Sequence, residues 1–324
     1  MDPETIEVIS TRHNANIDPH LALWGWEIPA YLFLGGLVAG IMVLAAVLEL
    51  SRKEKGETRA AELLPFLAAS LISLGMLFLF LDLHFKLHVF RFYTAFRPSS
   101  PMSWGAWLLL LVYPVLGLLG LGGLREESRR WLRERVRPAW LKRPLDALFS
   151  LADARRRPIL WATIASGSGL GLYTGLLLGT MVARPVWNTS VLAPLFLVSG
   201  VSTGAALMLL LPMGTTDAHK LVRWDTAAIV IELTLIGAWL LGGLTGGTTS
   251  QGAAALFLGG PYTAVFWGLF VMAGLLVPLA LNLIEIRRGI AGTRYGPALV
   301  LIGGLALRAI LVSAGQLTSL THLG

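Results

Sequence analysis

The stretch FLDLHFKLHVFRFYTAFRPSSPMSWGAW, residues 80–107, contains the pattern that decides the fold. An apolar run ends at a carboxylate, Asp82, and a short basic and aromatic segment follows before Ser-Pro-Met-Ser-Trp-Gly opens a second apolar run. Two apolar runs joined by a polar turn are typical of a transmembrane helical hairpin. Ionisable groups at the edge of hydrocarbon are costly and usually functional, so this junction is a candidate site.

The composition extends the same pattern to the whole chain. Of its 324 residues 55% are hydrophobic and only 14% are charged, whereas soluble domains carry about 25% charged residues. The sequence therefore predicts an all-α integral membrane protein. Eight apolar runs are long enough to cross a bilayer as helices, and they cover residues 28–50, 62–83, 103–124, 159–181, 192–211, 226–244, 264–284 and 297–317.

The basic residues predict the orientation. The loops after the first, third, fifth and seventh spans hold twenty of the 26 Lys and Arg residues, eleven of them in the loop 125–158. By the positive-inside rule these loops are cytoplasmic, so both termini and the turn within 80–107 face away from the cytoplasm of an inner membrane protein. This distribution argues against nucleic acid as the reason for the net charge of +7. The apolar residues interleaved in 125–158 favour amphipathic helices on the lipid surface over a docking site for a partner.

An outward linker, residues 183–191, divides the spans into two sets of four. We therefore expect two four-helix bundles, residues 24–182 and 192–324, preceded by an extracytoplasmic segment, residues 1–23. Cysteine is absent from the sequence, so any iron–sulfur cluster belongs to a partner. All six histidines lie outside the predicted spans, which argues against a haem between the helices, and no metal site is expected.

Several functional groups lie at the outer ends of the first four spans, at a similar depth in the membrane. Glu27 and Tyr31 lie one helical turn apart. Two interpretations of this group remain open: a pocket that binds quinone and exchanges its protons, or carboxylates that pair with Arg184 or Arg91 at the water boundary. The candidate residues are Glu27, Tyr31, Asp82, His84, Ser103, Trp104 and Arg184.

The last four spans carry charges of their own. Glu232 and Arg308 are predicted at similar depths within the membrane, where an unpaired guanidinium would be costly. We expect them to pair directly or through water, either as a structural ion pair or as part of a proton path. The path would use Asp225, Glu232 and Arg308, with Glu285 and Asn282 near its cytoplasmic mouth.

Five motifs resemble the NrfD and polysulfide-reductase membrane-subunit family. They are Trp24-Gly-Trp-Glu-Ile-Pro-Ala-Tyr-Leu-Phe-Leu-Gly-Gly, Leu81-Asp-Leu, Phe96-Arg-Pro-Ser-Ser-Pro-Met-Ser-Trp-Gly, Ala183-Arg-Pro-Val-Trp-Asn and Leu197-Val-Ser-Gly-Val-Ser-Thr-Gly-Ala. The resemblance covers residues 16–316 in consistent order. Many relatives have Gly-Arg-Pro after the aspartate, whereas this chain has His84-Phe85-Lys86, so the resemblance does not support a role for His84.

The resemblance implies a subunit that exchanges electrons with membrane quinone, either menaquinone or ubiquinone. The implied partners are an extracytoplasmic four-cluster iron–sulfur subunit and, through it, a molybdopterin or other catalytic subunit that acts on the terminal substrate. In this interpretation Glu27 and Asp82 exchange protons, Tyr31 and Arg184 orient the quinone, and Trp104 forms a wall. A secondary transporter and a purely structural membrane anchor are the alternatives. Ferredoxin-type cysteine motifs in a neighbouring gene, or a bound quinone, would distinguish them.

Overall fold

The computed structural model describes residues 24–51, 59–83, 85–94, 96–136, 138–289 and 293–318. Within these residues all regular secondary structure is helical. In chain order the helices are α1 Glu27–Leu50, α2 Arg59–Asp82, α3 Arg91–Thr94, α4 Pro101–Gly123, α5 Glu126–Arg135, α6 Ala139–Ala154, α7 Arg156–Gly179, α8 Leu192–Leu210, α9 Thr215–Thr245, α10 Thr248–Ala255, α11 Val277–Arg288 and α12 Tyr295–Leu317. A π-helical segment, Val265–Leu276, runs directly into α11.

Seven of these helical stretches are long and apolar enough to cross a membrane, counted over the described residues. They are Glu27–Leu50, Glu62–Asp82, Pro101–Gly123, Leu192–Leu210, Thr215–Thr245, Val265–Arg288 and Tyr295–Leu317. The predicted span 159–181 also forms a helix, α7, but its Gly, Ser and Thr residues lower its mean hydropathy and it is not one of the seven. The described part of the chain is therefore all-helical, and its seven apolar helices indicate a multi-pass membrane protein, since helices satisfy their backbone hydrogen bonds internally in lipid.

Helix α1 lies at the centre of the packing and contacts α2, α7, α8 and α12. Small residues allow the closest of these approaches: a Cβ added at Gly40 would lie 1.9 Å from the carbonyl oxygen of Gly200 in α8. One buried apolar cluster contains Tyr31 of α1 together with Phe196 of α8 and Leu311 of α12. The helices on either side of the linker 183–191 therefore share a continuous core.

The turn between α2 and α4 folds back on the start of α4. It contains a 3₁₀ turn, Lys86–His88, and the short helix α3. Trp104 donates from its indole Nε1 to the carbonyl of Pro98 at 2.7 Å, and the backbone N–H of Arg97 donates to the Ser103 hydroxyl at 3.0 Å. Pro101 occupies the first turn of α4, where its missing N–H costs no helical hydrogen bond.

The basic segment after α4 forms the helices α5 and α6, which are attached to the membrane helices through a buried arginine. Arg129 donates to both carboxylate oxygens of Asp153 at 2.7 and 2.8 Å, and to the carbonyl of Gly122 at 3.2 Å. Its guanidinium lies 5.1 Å from the ring centre of Phe149. The hydrogen bonds to Asp153 raise the pKa of Arg129 further above the physiological range.

Candidate functional site

A cavity of about 200 Å³ lies between α1, α2, α4 and α7, beneath the turn that joins α2 to α4. Its wall is mainly apolar, with Ile28 and Leu32 from α1, Met76 and Leu79 from α2, and Leu177 from α7. An open cleft of about 500 Å³ adjoins it and shares Leu83, Phe92 and Met102 with its lining. The two spaces together fall in the range of roughly 300–1,000 Å³ that is usual for small-molecule sites.

Three tyrosine residues are among the polar groups in the cavity lining. Tyr31 comes from α1, Tyr93 from α3 and Tyr173 from α7, and Tyr31 is close enough to the other two for their phenols to interact electrostatically. Tyr31 is only 5% exposed. Burial raises the pKa of Tyr93, so its phenol stays protonated at neutral pH and can donate a hydrogen bond.

Tyr173 is placed by a glycine on the neighbouring helix. A Cβ added at Gly105 in α4 would lie 2.0 Å from the ring carbon Cζ of Tyr173, and both residues line the cavity. Sequence reasoning missed both Tyr93 and Tyr173. The sequence could have indicated Tyr173, because it lies within the predicted span 159–181 and a buried tyrosine hydroxyl usually has a hydrogen-bonding role.

The structure brings together two of the predicted site residues, Tyr31 and Asp82, in the cavity lining. Ser103 lines the adjoining cleft instead. Trp104 lies at the surface with 54% of its side chain exposed. The Glu27 side chain folds back over Gly25, where an added Cβ would lie 2.3 Å from its Oε2. His84 lies outside the described residues.

Arg184 points away from the cavity, towards the end of α12. Its Nη1 donates to the carbonyls of Gln316 at 3.0 Å and Thr318 at 2.7 Å. A guanidinium at this position satisfies carbonyls that the last turn of a helix leaves without partners. Partial burial lowers the pKa of Arg184, although a guanidinium stays charged at neutral pH. Arg184 does not line the cavity in this structure, and its role as a donor to the quinone stays a prediction.

A second group of polar residues is buried among α8, α9, α11 and α12. Asp225 in α9 is 1% exposed and accepts hydrogen bonds from the Ser202 hydroxyl at 2.6 Å and from Asn282 Nδ2 at 2.8 Å. Nearer the C-terminal end of α11, Glu285 accepts hydrogen bonds from the backbone N–H and the hydroxyl of Thr293. Both carboxylates therefore have hydrogen-bond donors from neighbouring parts of the chain.

Arg308 and Glu232 lie deeper in this group, and each is 1% exposed. Arg308 donates from Nη1 to the Ser199 hydroxyl at 2.5 Å and from Nη2 to the carbonyl of Phe196 at 3.2 Å. Glu232 interacts with Ser199 through a side-chain hydrogen bond and with Arg308 electrostatically, but no direct ion pair joins the two charged residues, both of which are described. Glu232 Oε1 and Arg308 Nε are buried and have no hydrogen-bond partner among the described residues.

No group of three or more His, Asp or Glu side chains suited to hold a metal ion occurs in the described part of the protein. The polar groups of the cavity are instead phenols and a carboxylate set in an apolar wall. Such groups can donate hydrogen bonds to a ring oxygen and exchange protons with it.

Comparison with known proteins gives a consistent family. The family model described as "Polysulphide reductase, NrfD" matches residues 13–320. A polysulfide reductase chain of Wolinella succinogenes is 30% identical over 310 residues, which cover 91% of this chain and 94% of that protein. Protein NrfD of Escherichia coli is 29% identical, with 91% and 96% covered. A tetrathionate reductase subunit of Salmonella typhimurium is 26% identical, with 81% and 72% covered.

Proposed function

Because this chain belongs to the NrfD polysulphide reductase family, as its motifs indicated, we propose that it is the quinone-reactive membrane subunit of a respiratory oxidoreductase complex. The observation that carries this proposal is the cavity, in which an apolar wall surrounds Asp82 and the three tyrosine residues. In this proposal the subunit transfers electrons between quinone and a partner and does not act on the terminal substrate.

The cavity residues supply what quinone chemistry requires of a protein. Oxidation of a quinol releases two electrons and two protons, and reduction of a quinone takes up the same number. The apolar wall favours the ring and the first part of the tail. The phenols of Tyr31 and Tyr173 can donate hydrogen bonds to the ring oxygens, and Asp82 at the outer end of α2 can take up or return protons.

Replacement of Asp82 by Asn tests this proposal. The amide has nearly the same shape but cannot exchange a proton near neutral pH, so we expect quinone-linked turnover to fall by about 10²-fold or more. The amount of assembled complex should not change. The measurement is quinol oxidation or quinone reduction by the purified complex, with Glu127→Gln in the exposed part of α5 as the control.

Normal turnover in the Asp82→Asn complex would contradict the role of Asp82. A wild-type complex with neither bound quinone nor inhibitor-sensitive quinone activity would favour the structural-anchor alternative. Binding sites of secondary transporters are typically formed by discontinuous helices at mid-membrane. The seven apolar stretches are instead continuously helical, including the π-helical segment.

The turn between α2 and α4 is the proposed docking surface for the iron–sulfur partner. It exposes 78% of Phe85 and 89% of Leu87, close in sequence to the cations Lys86 and Arg91. An exposed apolar patch rimmed by charge is typical of a protein interface. Since this protein has no cysteine, the clusters that receive or deliver electrons belong to that partner, a four-cluster ferredoxin-type subunit, which is joined in turn to a molybdopterin or other catalytic subunit.

The proposed topology places this surface and the cavity on the extracytoplasmic side of the inner membrane. It has eight transmembrane helices, with α7 as the fourth, and both termini outside. Residues 24–182 form one four-helix bundle and residues 192–324 the other. The eleven basic residues of the loop 125–158 support a cytoplasmic position for it, where its cations meet anionic lipid.

We further propose that the buried group in the second bundle carries protons across the membrane. Asp225 and Glu232 lie two turns apart on one face of α9, and the Oε1 atom of Glu232 has no hydrogen-bond partner among the described residues. Glu285 lies at the cytoplasmic end of the same helix group and Arg308 beside Glu232. The alternative is that Glu232 serves only to balance the charge of Arg308.

Replacement of Glu232 by Gln separates these two roles. A proton path predicts that proton translocation by the reconstituted complex is lost while quinone turnover in detergent is retained. A charge-balancing role predicts lower thermal stability, because Arg308 is left buried without a counter-charge. Unchanged proton translocation in a stable Glu232→Gln complex would rule out the path.

A further inference from the structure

The last helix, α12, is hydrogen-bonded to one residue of the cavity lining, Trp24. Trp24 precedes α1 and lines the cavity, whereas no described residue of α8, α9, α10, α11 or α12 does so. Trp24 is therefore a point at which the second half of the protein is hydrogen-bonded to the cavity lining.

Gln316 in α12 binds both backbone groups of Trp24. The N–H of Trp24 donates to Gln316 Oε1 at 2.9 Å, and Gln316 Nε2 donates to the carbonyl of Trp24 at 3.0 Å. The side-chain amide of Gln316 thus binds the N–H and the carbonyl of Trp24 together, as the backbone of a neighbouring β-strand would. Two such bonds fix both the position and the direction of the backbone as it enters α1.

The indole ring of Trp24 is held by Trp187 of the linker 183–191. The two rings stack with centroids 5.3 Å apart and an interplanar angle of 26°. Trp187 is 2% exposed, and its Nε1 donates to the carbonyl of Leu311 in α12 at 2.7 Å. A Cβ added at Gly315 would lie 2.0 Å from the Trp187 ring, so this ring has no room to move towards α12.

We propose that Gln316 is a positioning residue for the quinone cavity, which acts by holding Trp24 at the rim from the last helix. This inference rests on the proposed function. Gln316 does not line the cavity, so its loss leaves Asp82 and the tyrosine residues in place. What changes is the wall that Trp24 and the adjacent Ile28 present to the ring of the quinone.

Two substitutions test the role of the amide. Gln316→Leu has a similar size and removes both hydrogen bonds, and we expect it to raise the KM for quinol about three- to tenfold, with kcat within about twofold of wild type. Gln316→Glu keeps the acceptor for the Trp24 N–H and loses the donor, so its KM should be intermediate. The control is Gln251→Leu, since Gln251 is an exposed residue of α10 whose side chain donates to the carbonyl of Gly246 at 3.1 Å.

A double-mutant cycle tests whether Gln316 acts through Trp24. Trp24→Ala removes the ring from the rim and should itself raise the KM. If Gln316 acts through that ring, Gln316→Leu adds no further rise in the Trp24→Ala background. Fully additive effects would contradict the proposal, because they would show that Gln316 acts by another route.

A second measurement does not depend on quinone. The protein has no native cysteine, so Trp26→Cys provides a single thiol at a side chain that is 62% exposed, two residues after Trp24. We expect Gln316→Leu to increase the rate of maleimide tagging at this thiol in the whole complex, with the tag read on this chain by gel. A wild-type complex without quinone activity would refute the proposed function, and the tagging rate would still report on the contact.

Unchanged KM in the assembled Gln316→Leu complex would overturn the proposal, as would an unchanged tagging rate at position 26. Loss of kcat together with loss of the protein from the membrane, without a rise in KM, would also overturn it. That result would assign Gln316 to folding alone.

Discussion

Gly105 and Tyr173 form one of the tightest contacts in the cavity wall. We predict that Gly105→Ala displaces the Tyr173 ring or separates α4 from α7, because the new methyl group would lie 2.0 Å from Cζ of the ring. The free energy of unfolding should fall by about 1–3 kcal/mol, as is usual for overpacking, and the KM for quinol should rise. Thermal unfolding and quinol kinetics of the complex measure the two effects.

Gly117 provides the matched control in the same helix. A Cβ added there meets no atom within 4 Å, so Gly117→Ala should leave quinol kinetics unchanged and stabilise α4 by up to about 1 kcal/mol. Equal effects of Gly105→Ala and Gly117→Ala would show that any alanine in α4 changes stability and KM in this way, and that the contact with Tyr173 is not the cause.

The sequence located the depth of the site but only part of its lining. Charged and polar residues at span ends share a depth, and the structure has Asp82 and Tyr31 in the lining of one cavity. Depth does not specify the direction in which a side chain points around its helix axis. Arg184 illustrates this limit, since it binds the carbonyls at the end of α12. Tyr173 belongs to no charged motif. Its position in the cavity lining follows from the packing of α7 on α4, which the sequence does not specify.

At the scale of elements, the crossing of α1 and α8 joins the two halves of the protein. We predict that Gly40→Ala lowers the free energy of unfolding by about 1–3 kcal/mol, because the contact 1.9 Å from the added Cβ is a backbone carbonyl that cannot rotate away. The measurement is the midpoint of thermal unfolding in detergent. Gly237→Ala on α9, where an added Cβ meets nothing within 4 Å, serves as the comparison and should not lower it.

The helices themselves were largely predictable, because apolar runs in a membrane have few alternatives to a helix. The predicted span 28–50 agrees with α1, Glu27–Leu50, to one residue. Helix α9 begins at Thr215, well before the predicted start at residue 226, because polar residues continue the helix beyond the apolar run. The π-helical segment Val265–Leu276 was not predicted, since a change in hydrogen-bond register leaves no trace in hydropathy.

For the whole molecule, the decisive question is whether α7 crosses the membrane. The proposed topology predicts that a single cysteine at Trp140 reacts with an impermeant maleimide only after the membrane is permeabilised, and that one at Asn188 reacts from outside. Both side chains are exposed, and they lie on opposite sides of α7 in the sequence. The cysteine-free parent protein provides the background. Labelling of both positions from the same side would mean that α7 does not cross.

The central position of α1 also has a consequence for how the protein is made. In its most apolar window 78% of the residues are buried, although α1 is the first of the seven apolar helices to leave the ribosome. Its partners α7 and α8 follow more than a hundred residues later, roughly 5–30 s at ordinary rates of synthesis. The face of α1 that carries Gly40 is therefore exposed to lipid or to an insertion factor during translation, until its partner helices are made. Substitutions on that face should reduce the yield of the protein before they affect its turnover.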